Sequence, residues 1–374
     1  MVNNIPLILK KLSKKLLRPK SIIQILIILI LVYLCYILGL FTHLLEKDLR
    51  EFRYPLKIDV RVALQTLYKD INSAKYLEVN SFNYSYIHKA ERTCKPYRFD
   101  HNKLIKPYLV ILVKSKLTHF EHREAIRKTW GQTDEMKLIR TVFLIGVPSP
   151  KEFKDKLEMQ SQIDRLETEN IQFQDIVQQN FYDTYYNNTI KTFMGIKWIN
   201  EQCSTAKFYL FIDDDFYLNP NLLMRYLAEN VTESMLNTYY AGFVFANSSP
   251  MRHLLSKWYI SLKDYPYHKF PPYVAAGCYI LSRQSAHLFL MASKLIELFK
   301  FDDIYMGILA HKLDIKPLHI EAVKFYAPPY LPSVYSSEVI AAHGFTATDL
   351  NQIWVQLEKF IKFKFSGSNE YLLK

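Results

Sequence analysis

Apolar and polar positions divide this chain into stretches of different character. Ser21–Phe41, SIIQILIILILVYLCYILGLF, is apolar almost throughout and contains no charged side chain. A helix needs about 20 such residues to cross the hydrocarbon core of a bilayer, so the run predicts a single membrane-spanning helix. It exceeds a cleavable signal core of about 7–15 residues and ends in no evident small-residue cleavage site, which makes it an uncleaved anchor. From Thr42 to Lys106 no period is sustained beyond a short helical pattern in DVRVALQTLYKDI. That segment reads as a stem, ordered in part at best.

Beyond residue 107 apolar blocks alternate with helical patterns, and residues 107–374 are read as one domain. Tyr108–Val113 is a continuous apolar run, as a strand buried on both faces requires. In LTHFEHREAIRKTWG, Thr118 and Glu121 form a capping-box pair and Gly131 can close a helix. TVFLIG predicts a strand, Lys151–Asn170 an exposed amphipathic helix, and IQFQDIV another strand. Asn188–Gln202 has the crowded apolar positions of a buried helix, and KFYLFI is the next strand. Asn219 can cap a helix that has Pro220 at its first position. Strand, helix, strand, helix, strand predicts an α/β fold: a mostly parallel sheet flanked on both faces by helices, with ligands bound beyond the strands' carboxyl ends.

A net charge of +12 over 374 residues first suggests a polyanionic partner. Six of the cations, Lys10, Lys11, Lys14, Lys15, Arg18 and Lys20, fall in the first twenty residues, which hold no acid. This basic tail, residues 1–20, abuts the apolar run, so anionic lipid is its nearer partner and nucleic acid is not expected. Positive residues stay cytosolic, which makes the chain a single-pass type II membrane protein with residues 42–374 lumenal. Sequons at Asn83, Asn187, Asn230 and Asn247 agree with a lumenal body. Beyond the anchor's Cys35 only Cys94, Cys203 and Cys278 remain, enough for one internal disulfide.

Three consecutive acids, Asp213, Asp214 and Asp215, follow the KFYLFI strand. Adjacent carboxylates repel unless a cation or donors compensate, and at a strand end they can hold Mg²⁺ or Mn²⁺ and through it a diphosphate; solvated acids of a turn are the plain alternative. Arg123 and Arg127 share a helix face with Trp130 nearby, which suits either a nucleotide diphosphate or an ordinary basic face. In KFPPYVAAGCYILSR, small residues at Ala275, Ala276 and Gly277 permit close approach, and Tyr273 and Tyr279 offer flat faces for a sugar; a tight strand-entry turn explains the same residues. Asp302 and Asp303 open a helical stretch, where they can cap it or one can serve as a general base. His343 is either a metal ligand or a hydrogen-bonded histidine.

In order, REAIRKTWG, DIVQQNFYDTYYNNTIKT, FYLFIDDDFYLN, FPPYVAAGCYILS, DDIYMG and YSSEVIAAHGFTATDL resemble the β-1,3-glycosyltransferases of the galactosyltransferase and N-acetylglucosaminyltransferase type, glycosyltransferase family 31, to which Fringe enzymes are distantly related. The resemblance spans roughly 107–350. It implies a GT-A-type fold and a Golgi type II membrane enzyme. That enzyme would be an inverting hexosyltransferase, moving galactose or an N-acetylhexosamine from a UDP-sugar to a glycan acceptor on glycoprotein or glycolipid. Homo-oligomer formation is compatible with this. Donor contacts fall to Asp213, Asp214, Arg123 and Arg127, Mn²⁺ (or Mg²⁺) to Asp215 with Asp213 and His343, and the base to Asp303 beside Asp302. The pocket for acceptor or sugar falls to Tyr273, Gly277 and Tyr279. The chain departs from the family at Phe211, where lysine is usual, at Asp302-Asp303, where Glu-Asp is usual, in the VAAGC turn, and in lacking the cysteine usual after the acid pair. These departures leave a second expectation: a catalytically silent, membrane-anchored glycan-binding or chaperone-like protein.

Overall fold

The computed structural model describes residues 19–52, 59–69, 78–95, 97–100, 103–132 and 138–369. Residues 1–18, with most of the basic tail, lie outside them. The chain divides into two units, one of residues 1–54 with 247–270, the other of 55–246 with 271–374.

The larger unit is built on an eight-stranded sheet in the order β1-β6-β5-β4-β7-β10-β9-β11. These strands are β1 Tyr86–Lys89, β4 Leu109–Lys114, β5 Ile139–Val147, β6 Ile176–Tyr182, β7 Phe208–Asp213, β9 Tyr240–Phe245, β10 Tyr273–Ser282 and β11 Leu318–His319; β2 Tyr97–Asp100 and β3 Lys103–Ile105 form a separate hairpin. Strands β6, β5, β4 and β7 are parallel neighbours, while β1 and β10 run against theirs, so the sheet is mixed. A small second sheet, β12-β13-β8, joins Val323–Lys324, Ala341–His343 and Phe216–Leu218.

Strand alternation sorts the side chains of β7. Phe208, Leu210 and Ile212 enter the core shared with Ile126 and Trp130 of the segment around helix Phe120–Lys128 and with Leu350, Ile353 and Leu357 of helix Ala347–Asn369. Phe211 faces the other way, toward Gly195 of helix Asn188–Gln202 and the ring of Tyr279 on β10. Helices therefore cover both faces, as expected. On β4, Leu112 stands beside Phe211 and Lys114 beside Asp213. The two strands thus end together, with a lysine and an aspartate on one face.

Local differences from expectation have identifiable causes. The helix expected over 151–170 runs Lys156–Phe173, because Asp155 caps its start and Gln174 takes the left-handed turn (φ 54°) that ends it. That moves the start of the next strand to Ile176. No capping box forms at Thr118: the helix begins at Phe120, and the His119 side chain is drawn to Asp214 instead. Part of the expected stem is built into the larger unit, since β1 pairs with β6, and a helix forms over Val60–Lys69. Cys94 and Cys203 are disulfide-bonded, while Cys278 is a free, buried thiol.

In the smaller unit a 19-residue helix, Pro19–Ile37, has mean hydropathy 2.4 and no buried residue, which by length and composition allows it to cross a bilayer. The chain then turns through Leu38–Leu40 into a short 3-10 helix, Thr42–Leu45.

Candidate active site

The site grows from the paired ends of β4 and β7. Lys114 is buried, and its ammonium lies 2.9 Å from Asp213 Oδ1, 3.3 Å from Asp302 Oδ2 and 2.9 Å from the Ala276 carbonyl. One cation thus joins the acid triplet to the acid pair, 89 positions further along the chain from Asp213 to Asp302. Burial disfavours a charged lysine, but Asp213 and Asp302 outweigh it and hold the ammonium on more firmly than usual. Burial pushes Asp213 up to about 6 even against the opposing pull of Lys114.

The acid pair opens helix Asp302–Leu313. Asp302 is buried and accepts from Thr192 Oγ1 at 2.9 Å as well as from Lys114. Asp303 is half-buried and accepts from the Ile304 amide at 2.8 Å. Burial and then the neighbouring Asp302 charge push the Asp303 carboxyl up to about 7, although the amide bond and Lys114 pull it down. A carboxyl poised there can take a proton near neutral pH.

Two turns organise the rest of the triplet. The Asp215 carbonyl accepts from Gly344 N (3.0 Å) and Phe345 N (2.9 Å), and β13 pairs His343 with Phe216 of β8. This brings His343 Nε2 to 3.2 Å from Asp215 Oδ2, and that hydrogen bond raises the imidazole pKa. The other oxygen, Asp215 Oδ1, is buried without a hydrogen-bond partner. A buried, unpartnered carboxylate oxygen beside an imidazole is a donor set for a hard divalent cation. Among the described residues, no group of three or more His, Cys, Asp or Glu is placed to hold a metal ion.

Several expected residues are elsewhere. The Arg123 guanidinium is fully buried against Glu169 (2.8 and 2.7 Å), Ser115 Oγ and the carbonyls of Lys116 and Leu117. Arg127 pairs with Asp175 and Glu169 over the rings of Phe143 and Phe173. Both arginines thus brace the framework behind the acids and do not join them, because two acids from other elements take up their donors. Trp130 is a core residue whose indole N–H donates to the Phe216 carbonyl.

Asp214 is also turned inward. Burial raises its pKa, but the 2.9 Å bond to His119 Nδ1 and the charge there outweigh burial and hold it below the ordinary carboxylate range. Tyr273 and Tyr279 present no open face: Tyr273 packs on Phe245, and Tyr279 is stacked on Phe211 with centroids 5.0 Å apart. Gly277 is where close approach is needed, since a β-carbon there would lie 2.6 Å from the Phe216 ring and 3.5 Å from Asp213 Oδ2.

Sequence reasoning missed Lys114, Thr192 and His119. A lysine ending an otherwise apolar strand, with a neighbouring parallel strand ending in aspartate, was the available signal for Lys114. Among the sequons, Asn83, Asn230 and Asn247 are exposed and Asn187 is half-buried.

A galactosyltransferase family model matches residues 121–321. Beta-1,3-galactosyltransferase brn of Drosophila melanogaster is 36% identical over 341 residues, covering 90% of this chain and 95% of that protein. Human beta-1,3-galactosyltransferase 1 is 31% identical over 288 residues, 75% of this chain and 85% of that one. Lactosylceramide 1,3-N-acetyl-beta-D-glucosaminyltransferase B of Xenopus laevis is 32% identical over 255 residues, 66% of this chain and 65% of that one.

Proposed function

The chain belongs to the galactosyltransferase family and is a glycosyltransferase, and we propose that it transfers galactose or an N-acetylhexosamine from a UDP-sugar, with inversion and in β-1,3 linkage, to a glycan acceptor. The observation that supports this most is the shared ammonium of Lys114, which ion-pairs with Asp213 of the triplet and Asp302 of the acid pair and so brings the two into one cluster. Asp303, held near neutrality, would take the proton of an acceptor hydroxyl as that hydroxyl attacks the anomeric carbon from the face opposite UDP. Asp302 would hold Lys114 and Thr192 in place beneath it.

Asp215 and His343 would hold Mn²⁺ or Mg²⁺, with Asp213 beside them, in agreement with the unpartnered oxygen of Asp215. A bound ion there would neutralise charge on the departing diphosphate. The chain would be a single-pass type II Golgi protein held by Pro19–Ile37, with its catalytic unit lumenal and its exposed sequons open to modification.

Nothing specific now favours the silent, glycan-binding alternative. Its support was Phe211 and the altered VAAGC turn, but Lys114 sets a cation against Asp213 and Asp302, and Gly277 of that turn packs closely on the Phe216 ring. The test is to assay the detergent-solubilised chain with UDP-galactose, UDP-N-acetylglucosamine and UDP-N-acetylgalactosamine against a panel of glycan acceptors. Transfer with one donor is expected; UDP binding without any transfer across the panel would return the silent alternative.

A further inference from the structure

The smaller unit has its own architecture. Arg252, in the 247–270 segment, is fully buried: its guanidinium donates to Glu46 Oε1 (2.7 Å) and to the carbonyls of Ile260 (2.8 Å), Tyr265 (2.8 Å) and Tyr267 (3.1 Å). Lys47 N donates to the Pro266 carbonyl (2.8 Å) and the Lys47 carbonyl accepts from His268 N (3.0 Å). Gly39, at φ +75°, lies against Arg252 so closely that a β-carbon would run into it. Three of these hydrogen bonds, Arg252 to Glu46, Lys47 N to Pro266 and His268 N to Lys47, join 247–270 to the residues that follow the apolar helix and make it their built partner.

What this unit leaves exposed is apolar. Leu254 N donates to the carbonyl of Ile37, the last residue of the helix, at 3.0 Å. Around that joint Leu38, Leu40, Phe41, Leu44 and Leu45 are exposed, and so are Met251, Leu254, Leu255 (77%) and Trp258 (50%). The exposed apolar surface of the helix therefore continues onto the 247–270 segment. Lys257 places its ammonium 4.5 Å from the Trp258 ring centre, the pairing of aromatic face and cation suited to a headgroup layer.

We propose that the 247–270 segment is a membrane-seated platform, with Leu254, Leu255 and Trp258 inserted at the headgroup boundary of the lumenal leaflet beside the anchor. The proposal rests on reading Pro19–Ile37 as a membrane anchor. Continuity with that helix is what selects a lipid leaflet as the occupant, because a surface hydrogen-bonded to the end of a spanning helix already lies at the bilayer's edge. The exposed sequon Asn247 is compatible with this. It lies at the base of the segment, where Phe270 N closes onto the Ser248 carbonyl at 2.9 Å, and not among the apolar residues.

The test places the full chain in phosphatidylcholine nanodiscs, plain or brominated high on the acyl chains. Subtracting the emission of a Trp258→Phe chain from that of the unaltered chain isolates Trp258 from the other three tryptophans. The platform predicts that this difference emission is blue-shifted and loses most of its intensity in brominated discs. It also predicts that Leu255→Asp with the native Trp258 restores much of that intensity while the chain stays in the disc. Trp258 emission that is equal in both lipids, whether quenched by aqueous iodide or shielded by a second copy, would overturn the proposal. Alkaline carbonate extraction separates the two readings: release of the chain sinks the anchor and the platform with it, whereas a retained chain with unquenched Trp258 sinks the platform alone.

Discussion

Removing the ammonium of Lys114 while keeping its bulk, as in Lys114→Met, should damage stability and catalysis together. The lysine side chain is 5% exposed and that of Asp302 8%. At an effective dielectric near 20, a unit charge 3.3 Å away contributes roughly 5 kcal/mol of gross attraction with Asp302, and solvent screening leaves less with Asp213, whose side chain is 37% exposed. Desolvation of all three groups offsets most of that in the intact protein. Deleting one partner leaves the penalty without the attraction, a loss of about 3–5 kcal/mol. At roughly 2–4 °C per kcal/mol, the midpoint of thermal unfolding should fall by about 10 °C. The stranded acids can recover part of this by binding a proton, so the acid limb of kcat/KM should move up by about one pH unit or more. Thermal melts and pH–rate profiles of the variant measure both effects. Adding Asp302→Asn to Lys114→Met should restore part of the lost stability, because it removes the uncompensated charge. An unchanged melting midpoint together with an unchanged pH profile would refute the reasoning, as would a double variant less stable by the simple sum of the two single losses.

Asp303→Asn should keep Mn²⁺-dependent UDP binding and lose transfer, checked by calorimetric titration and product assay; near-native turnover would remove Asp303 from the role of base. With its carboxyl raised to about 7, kcat/KM should climb roughly tenfold per pH unit below that value and level off above it. For stability the sign is opposite: the native state binds the Asp303 proton more tightly than the unfolded chain, so its contribution is complete below about pH 4 and is lost as pH rises through about 7. Asp215→Ala should weaken metal-dependent UDP affinity by an order of magnitude or more while leaving metal-free affinity alone, and equal losses in both would deny it the ligand role. The Cys94–Cys203 bond spans 109 positions, so replacing both cysteines by serine should cost about 2–5 kcal/mol, read as a lower denaturant midpoint in non-reducing buffer.

The sequence made the class of fold legible because its signals were local and long. Tyr108–Val113 and KFYLFI are short apolar blocks of the kind a doubly covered strand shows, and both are central strands. The antiparallel insertion of β10 beside β7 was not legible, since pairing direction is decided by contacts between segments some 60 positions apart. At the site, Asp213–Asp215 and Asp302–Asp303 could be singled out because acids next to apolar runs are costly without a partner, whereas His343 was marked as a metal ligand only by the family resemblance. Arg123 and Arg127 misled for a related reason: their spacing gives a shared helix face but not what that face meets, and Glu169 and Asp175 meet it. Tyr273 and Tyr279 misled because a strand's aromatic can lie on either side of the sheet.

Phe211 and Lys114 lie on neighbouring strands, and the cation that meets the acids comes from β4 rather than from β7. Asp213, Asp302 and Asp303 crowd a partly buried corner whose charge is offset by a cation. In the family this chain resembles, lysine is usual two residues before the triplet, which by strand alternation is the face occupied by Asp213. The in-register neighbour of Asp213 on β4 borders that same face, so a lysine there reaches the same carboxylates. In this chain Lys114 supplies the charge and position 211 is apolar. Phe211 stacks on Tyr279 and fills the space against Gly195. The departure at Phe211, which in the sequence suggested lost activity, therefore does not leave the acids without a cation.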